Sequence, residues 1–217
     1  MKIALVGGTG DIGTGFALRW AAKNEIIIGS RKAEKAEEAA KGVSEALGGK
    51  AILGMDNGTA IEASDVVVLC VPFEHLASVT SDLKSSYSDQ IVISPVVPMS
   101  YNGKHFQLDP PSQGSAAMQA KFMLPDGMRI VSAFHTICAA ALQDREKELK
   151  ADVLICSDDE EALNTVIGLT QEIKSLRPLK AGPLAVSSLV ESLTPMLLNV
   201  ARRNRIKDAG IKIVSER

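Results

Sequence analysis

Lys2-Ile3-Ala4-Leu5-Val6-Gly7-Gly8-Thr9-Gly10-Asp11-Ile12-Gly13 begins one residue into the chain, and its reading decides the fold. Lys2 to Gly7 is an apolar run that reads as a buried strand. From Thr14 to Lys23, apolar residues recur at helical spacing. Strand, glycine turn, helix is the context in which Gly8-x-Gly10-x-x-Gly13 becomes a dinucleotide-binding sequence. Each glycine has its own task. Gly8 permits the tight turn, Gly10 lets backbone approach a pyrophosphate, and Gly13 lets the helix pack closely on the strand. Thr9, Asp11 and Ile12 complete the turn, and the N–H groups of the helix start face an anion. A bare βα turn in an α/β protein is the alternative.

Working outward, Glu25 to Gly29 reads as a second buried strand. A unit that binds NAD would place an acid at its end, for the ribose 2′-hydroxyl. Here the sequence is Gly29-Ser30-Arg31-Lys32-Ala33-Glu34-Lys35, with a hydroxyl and a guanidinium instead. A helix from about Ala33 to Leu47 starts at the same place, so Arg31, Lys32 and Lys35 crowd cations at its already positive end. That costs stability unless an anion sits among them. A 2′-phosphate held by Ser30, a forked Arg31 and Lys35 fits, which selects NADP over NAD.

Further strands are expected over Lys50–Met55, Asp65–Pro72, Gln90–Pro95 and Arg129–Phe134, with Asp56 or Asn57 capping a short helix between the first two. Val71, Phe73 and His75 follow a strand end and fall near the ligand crevice. Val96-Val97-Pro98-Met99 reads as a stiff apolar wall, and Tyr101 to Ser112 as a mobile, loop-like flap. Helices are expected over Phe73–Ser86, Ser115–Leu124 and Ala139–Leu149. Beyond come a strand at Asp152–Cys156, a helix to about Ile173, an extended Arg177–Leu184 and a long helix, Ala185–Lys207, kinked at Pro195. The pattern is α/β: a Rossmann-like doubly wound parallel sheet (residues 1–150) with a smaller C-terminal α/β domain (residues 151–217).

With 217 residues, the chain can bury a substantial core. A formal net charge of −2 gives no footprint for nucleic acid or an acidic membrane surface. No apolar run is expected to span a bilayer, and because Lys2 leads directly into a strand no signal peptide is expected. Cys70, Cys138 and Cys156 lack ligand spacing and fit reduced cytoplasmic thiols, with no metal site. No Ser-His-Asp or His-Glu-x-x-His arrangement is present. An NADP site with apolar walls and few titratable groups suits hydride transfer, in which two rings are held in contact and water is excluded.

Several motifs together carry a resemblance. They are Gly-Gly-Thr-Gly-Asp-Ile-Gly, Gly29-Ser30-Arg31, Val71-Pro72-Phe73-Glu74-His75, Ser94-Pro95-Val96-Val97-Pro98, Ser132-Ala133-Phe134-His135-Thr136-Ile137, Arg177-Pro178-Leu179 with Ala181-Gly182-Pro183-Leu184, and Leu189-Val190-Glu191-Ser192-Leu193-Thr194-Pro195. In this order, over nearly the whole chain, the sequence resembles the NADP-dependent reductases of coenzyme F420, an 8-hydroxy-5-deazaflavin. The resemblance implies reversible hydride transfer between reduced deazaflavin and NADP by a cytoplasmic homodimer. It implies that Thr9 to Ile12 hold the pyrophosphate and that Ser30, Arg31 and Lys35 hold the 2′-phosphate. Val71, Phe73, His75, Ala139 and Ala209 would border NADP. Val97, Pro98, His135, Ile137, Ser192 and Thr194 would line the deazaflavin pocket, His135 orienting a ring rather than acting as an obligatory base. Two positions depart from the family pattern: Cys138 stands where a proline follows His-Thr-Ile, and Ser188 where an arginine precedes Leu-Val-Glu-Ser. An NADPH reductase of a flavin or of ferric iron, and a non-catalytic NADP sensor, are the alternative readings.

Overall fold

A computed structural model describes residues 1–215. The six strands β1 (Lys2–Val6), β2 (Glu25–Ser30), β3 (Leu53–Asp56), β4 (Val66–Leu69), β5 (Ile91–Ser94) and β8 (Arg129–Ser132) lie in the order β3-β2-β1-β4-β5-β8, all parallel. Between β5 and β8 the chain makes a separate antiparallel hairpin of β6 (Met99–Tyr101) and β7 (Phe106–Leu108). Strand residues alternate between two cores, as a sheet covered on both faces requires. Ile3, Leu5, Ile26, Ile28, Val66 and Val68 face one core, together with Phe16 and Trp20 of α1 (Asp11–Trp20) and Ala36, Ala40 and Val43 of α2 (Ala33–Ala46). Ala4, Val6, Ile27, Val67 and Leu69 face the other, against α3 (Asn57–Glu62), α4 (Leu76–Thr80) and α5 (Ala116–Met123). Aliphatic side chains dominate both cores, as the scarcity of aromatics demands.

The sheet departs from the all-parallel expectation at its far side. β9 (Asp152–Ser157) pairs antiparallel with β8, and β10 (Arg177–Gly182) runs parallel to β9. The reason is the helix between them. A helix over Ala139–Leu149 would be long enough to recross the sheet, but α6 stops after five residues, Ala139–Gln143. At 1.5 Å per residue it spans only about 8 Å, too little to return the chain to the amino edge. Residues 133–151 therefore stay at the carboxyl edge, and β9 starts where β8 ended. The segment beyond residue 150 adds these two strands and α7 (Glu160–Gln171, capped by Asp159) to the same eight-stranded sheet, and Val153, Ile155, Val166 and Leu169 join the first core.

The final helical run also differs from expectation. It begins as a short 3-10 turn over Leu184–Val186, continues as α8 (Ser187–Glu191), breaks at Ser192 and resumes as α9 (Leu193–Asn204). Pro195 sits in the first turn of α9, where its missing N–H is tolerated, so the break precedes it. Leu184–Asn204 is long and apolar enough to cross a membrane by length and composition, which corrects the expectation that no such run exists. Its polar groups are nonetheless committed to the fold. Glu191, at the end of α8, is fully buried, and Asn199 exchanges two hydrogen bonds with the Phe106 backbone, at 2.8 and 2.7 Å. Those bonds, with Arg202 lying over the Tyr101 ring, dock the hairpin on α9. The expected loose flap is thus an ordered hairpin.

Candidate active site

All six parallel strands deliver their carboxyl ends to one edge, and a crevice opens between β1 and β4, where the strand order reverses. A cleft of about 510 Å³ lies there, lined by Gly7, Thr9, Ser30, Arg31, Lys32, Lys35, Asn57, Val71, Pro72 and His75, among others. Within the turn, the left-handed residue is Gly7, at φ +68°, rather than Gly8. A Cβ on Gly8 would stand 2.5 Å from the Leu5 carbonyl oxygen, and one on Gly13 would stand 2.3 Å from Gly8 Cα. Gly13 therefore seats the helix on the turn itself. A Cβ on Gly10 would meet nothing within 4 Å. The chain's own packing does not demand a glycine at position 10, so the room there is open to a ligand's approach. Gly10 is also the N-cap of α1 and offers no side chain to its first N–H groups.

Arg31, Lys32 and Lys35 gather at the start of α2, whose N-cap, Lys32, also lacks a side-chain cap. Among the described residues, none of the three makes an ion pair with a carboxylate. Three unpaired cations at a positive helix end, walled by Ser30 and the glycine turn, form a receptacle for a multiply charged anion.

A second pocket, about 360 Å³ and mostly apolar, lies farther along the same edge. His135, Ile137 and Thr194 line it, as expected. Ala139 and Ala209 line this pocket rather than the first cleft, together with Met99, Cys138, Leu197, Leu198, Ala201, Ile206 and Asp208. Val97 and Pro98 do not line it; Met99, the next residue, does. The Ser192 hydroxyl donates to the Leu189 carbonyl at 2.7 Å and is spent within the helix break. Phe73 packs against the second core instead of lining the first cleft.

His135 is buried, at 7 % exposure, and Thr194 Oγ1 donates to its carbonyl at 2.9 Å. Nε2 lies 3.2 Å from Ser132 Oγ, while Nδ1 and the neighbouring Ser94 Oγ are sealed without a hydrogen-bonding partner. Both ring nitrogens are thus occupied or enclosed. Burial pushes the imidazole pKa down to about 4; the nearby Ser94 backbone opposes this without reaching hydrogen-bond geometry at Nδ1. The ring is neutral at physiological pH. Phe134, immediately before it, adopts φ +68°, a left-handed conformation that costs about 1–3 kcal/mol for such a side chain. Edge-on packing against Phe16 and Trp20, at 5.2 and 5.6 Å between ring centroids, holds it there.

Four contributors lay outside the sequence reading. Arg19 of α1 donates to five carbonyls: Ala141, Leu142, Asp144, Arg145 and Lys147. It ends α6 by capturing the oxygens at its carboxyl end. Gln143 Nε2 reaches back to the Asp11 carbonyl at 2.7 Å and Thr14 Oγ1 at 2.6 Å, tying the second-pocket segment to the glycine-turn helix. Glu191 accepts from the N–H groups of Ala116 and Ala117, at 2.9 and 3.1 Å, and caps α5. Asn57 Oδ1 accepts from Gly7 N at 3.1 Å. Glu191 lies within the Leu189–Pro195 motif, but nothing local in sequence marks any of the four for these contacts, whose partners are all distant along the chain. Among the described residues no cluster of three or more His, Cys, Asp or Glu side chains is placed to hold a metal ion.

Comparison with known proteins gives a consistent result. The family described as "NADP oxidoreductase coenzyme F420-dependent" matches residues 2–98. The F420-dependent NADP reductase of Methanocaldococcus jannaschii is 40 % identical over 221 aligned positions, covering 99 % of both chains. That of Methanothermobacter thermautotrophicus is 38 % identical, covering 99 % of this chain and 95 % of its own. Among solved structures, one from Arthrobacter sp. FB24, provisionally described as an F420-dependent NADP-reductase, superposes with a TM-score of 0.83 at 20 % identity, covering 99 % of this chain and 100 % of its own. An imine reductase of Bacillus cereus shares the fold at a TM-score of 0.63 and 13 % identity, covering 94 % of this chain and 63 % of its own.

Proposed function

The chain belongs to the family of coenzyme F420-dependent NADP oxidoreductases, and on that premise we propose how its residues carry the reaction. It is an oxidoreductase that transfers a hydride reversibly between reduced F420 and NADP. The two cofactors supply the hydride donor and acceptor, so the protein's part is to bind, orient and exclude water. The first cleft takes NADP. Thr9, Gly10, Asp11 and Ile12 present backbone N–H groups to the pyrophosphate, while Ser30, Arg31 and Lys35 hold the 2′-phosphate. Val71 and His75 border the dinucleotide.

The second pocket takes the deazaflavin. His135, Ile137 and Thr194 line it, with Ala139 and Ala209 where the nicotinamide meets the acceptor ring. Val97, Pro98, Ser192 and Phe73 act one layer back, by holding Met99, the helix break and the cleft wall in place. His135 stays neutral and shapes the pocket; it carries no obligatory proton. Residues 1–150 supply the NADP site, and residues 151–217 supply the broken helix and tail that wall the acceptor.

The observation that carries this assignment is the unpaired Arg31, Lys32 and Lys35 at the end of β2, where a carboxylate would favour NAD. Arg31→Ala is expected to weaken NADPH binding on the order of tenfold or more and NADH binding little, since it removes a charge-assisted bond to a group NADH lacks. Equal losses for both nucleotides refute the assignment. For the reaction itself, NADPH added to protein and F420 should bleach the deazaflavin's visible absorbance. NADPH binding without bleaching refutes it.

The same reading makes the chain a cytoplasmic homodimer without nucleic-acid or membrane partners. Support comes from the outer face of the broken helix, where Leu189, Met196 and Val200 are 42–68 % exposed. Leu189→Glu combined with Met196→Glu should shift sedimentation from dimer to monomer.

A further inference from the structure

We infer that Asn57 is a specificity-determining residue of the nucleotide cleft: one end of its carboxamide fixes the glycine turn, and the other donates to the 2′-phosphate region of the adenosine ribose. The inference rests on the NADP assignment above and adds to it a residue that neither the glycine turn nor the cations supply.

The orientation of the carboxamide follows from its single protein bond. Gly7 N is a donor, so the atom facing it at 3.1 Å must be the oxygen, and the amide nitrogen is turned away from the turn. The approach is possible because residue 29 is a glycine: a Cβ there would stand 2.8 Å from Asn57 Oδ1. Asn57 is 5 % exposed, so its side chain is fixed rather than mobile. Among the described residues, Nδ2 has no acceptor. It is also absent from the sealed, unpartnered polar atoms of the interior, and the residue lines the cleft. The two free N–H bonds therefore open on the cleft.

Their location fixes what they meet. Asp56 is registered across the sheet from Ser30, which places Asn57 beside the Ser30-Arg31 step and below the left-handed Gly7. A dinucleotide with its pyrophosphate on the α1 N-terminus and its 2′-phosphate on Arg31 passes its adenosine ribose between these points. A neutral donor there favours an anionic substituent, whereas a carboxylate in its place would repel one. The position thus works with the missing acid at the end of β2, from a different strand.

Asn57→Asp tests this, because a carboxylate oxygen can still accept from Gly7 N while the other presents negative charge to the ribose. Equilibrium titrations following nucleotide fluorescence, with NADPH and with NADH, need no turnover. The expected result is a loss of NADPH affinity of roughly ten- to hundredfold, the size of a lost bond to a charged group, with NADH affinity unchanged or improved. A thermal melt of the free protein should stay near wild type. If the variant does not fold, Asn57→Ser replaces it: the shorter hydroxyl withdraws both the acceptor from Gly7 N and the donor from the ribose, and the lost donor still costs NADPH more than NADH. Equal factors for the two nucleotides, or NADPH affinity unchanged, overturn the inference. Wild type binding NADPH no better than NADH is a different result: it overturns the NADP assignment itself, and this inference with it.

Discussion

Replacing Glu191 with glutamine should invert part of the protein's pH–stability profile. The carboxyl group is fully buried, and its two oxygens accept from the first N–H groups of α5. Two effects compete. Desolvation disfavours the anion, while the two bonds and the helix dipole favour it. Desolvation prevails, and the pKa rises from the ordinary 4.5 to about 7. The native state therefore holds this proton more tightly than the unfolded chain does. Its stabilising contribution is complete below pH 4.5 and is lost as the pH rises through about 7. The displacement corresponds to about 3 kcal/mol.

His135 acts in the opposite sense. Its pKa is lowered from 6.5 to about 4, so its contribution is present above 6.5 and lost as the pH falls through about 4. The two slopes overlap and largely cancel in wild type, so the quantity to measure is a difference. Urea unfolding of wild type and Glu191→Gln, at one protein concentration and at intervals from pH 4.5 to 8, removes the histidine contribution by subtraction. Glutamine offers α5 one acceptor instead of two, so the variant begins at a disadvantage that does not depend on pH. Relative to wild type it should then gain about 3 kcal/mol across the range. A flat difference shows that Glu191 does not titrate there. If the helix N–H groups outweighed burial, the pKa would lie below 4.5 and the difference would likewise be flat over this range, so a flat result in either case overturns the reasoning.

Arg19→Met should cost about 3–5 kcal/mol in chemical denaturation, because it leaves five carbonyls without their donor in a nearly closed site; a loss under about 1 kcal/mol contradicts the clamp described for α6. His135→Asn should slow turnover without altering the pH dependence of kcat/KM between about pH 5 and 8, because the imidazole is already neutral there; an inflection present in wild type and missing in the variant assigns the histidine a proton. Gly10→Ala should fold with a stability change within about 0.5 kcal/mol yet lose NADPH affinity, whereas Gly13→Ala should destabilise the chain itself; the reverse pattern in melts and titrations refutes the distinction between ligand-facing and packing-facing glycines.

The parts legible in sequence are those set by short-range rules. β1, the glycine turn and α1 announce themselves within thirteen residues, and the missing acid after β2 is visible because a strand end has a definite place in the crevice. The motifs from Ser132 to Ile137 and from Leu189 to Pro195 pointed to a second pocket before any pairing was known. What stayed hidden depends on distant partners. Apolar spacing over Ala139–Leu149 favours a helix, and only Arg19, more than a hundred residues away, shows why it ends at Gln143. The hairpin at Met99–Leu108 has polar, loop-like residues, and its order comes from Asn199. Val97 and Pro98 looked like pocket wall because stiffness can be read from prolines, whereas which of three successive residues faces inward cannot. Asn57 could be read only as a cap, since its bond to Gly7 spans fifty residues.

The costs in this fold fall on one segment, and that placement bears on function. Residues 133–151 contain a left-handed Phe134, a truncated helix whose terminal carbonyls need a buried guanidinium, and a chain reversal that turns β9 against the direction of β8. Phe16 and Trp20, which brace Phe134, and Arg19, which holds the end of α6, all lie on α1. Gln143 ties the segment to the first turn of that helix as well. The helix whose N-terminus we propose for the pyrophosphate is therefore the same body that positions the second pocket. In an oxidoreductase whose rate depends on the separation of two rings, such a connection is useful. On the proposed assignment both pockets are placed relative to α1, so a displacement of the helix would move both together and leave the hydride distance nearly unchanged. A sheet continued in parallel through a full-length α6 would have carried residues 139–151 back to the amino edge. The second pocket would then have lost Ala139, and the tail residues Asp208 and Ala209 would have lost the surface on which they close.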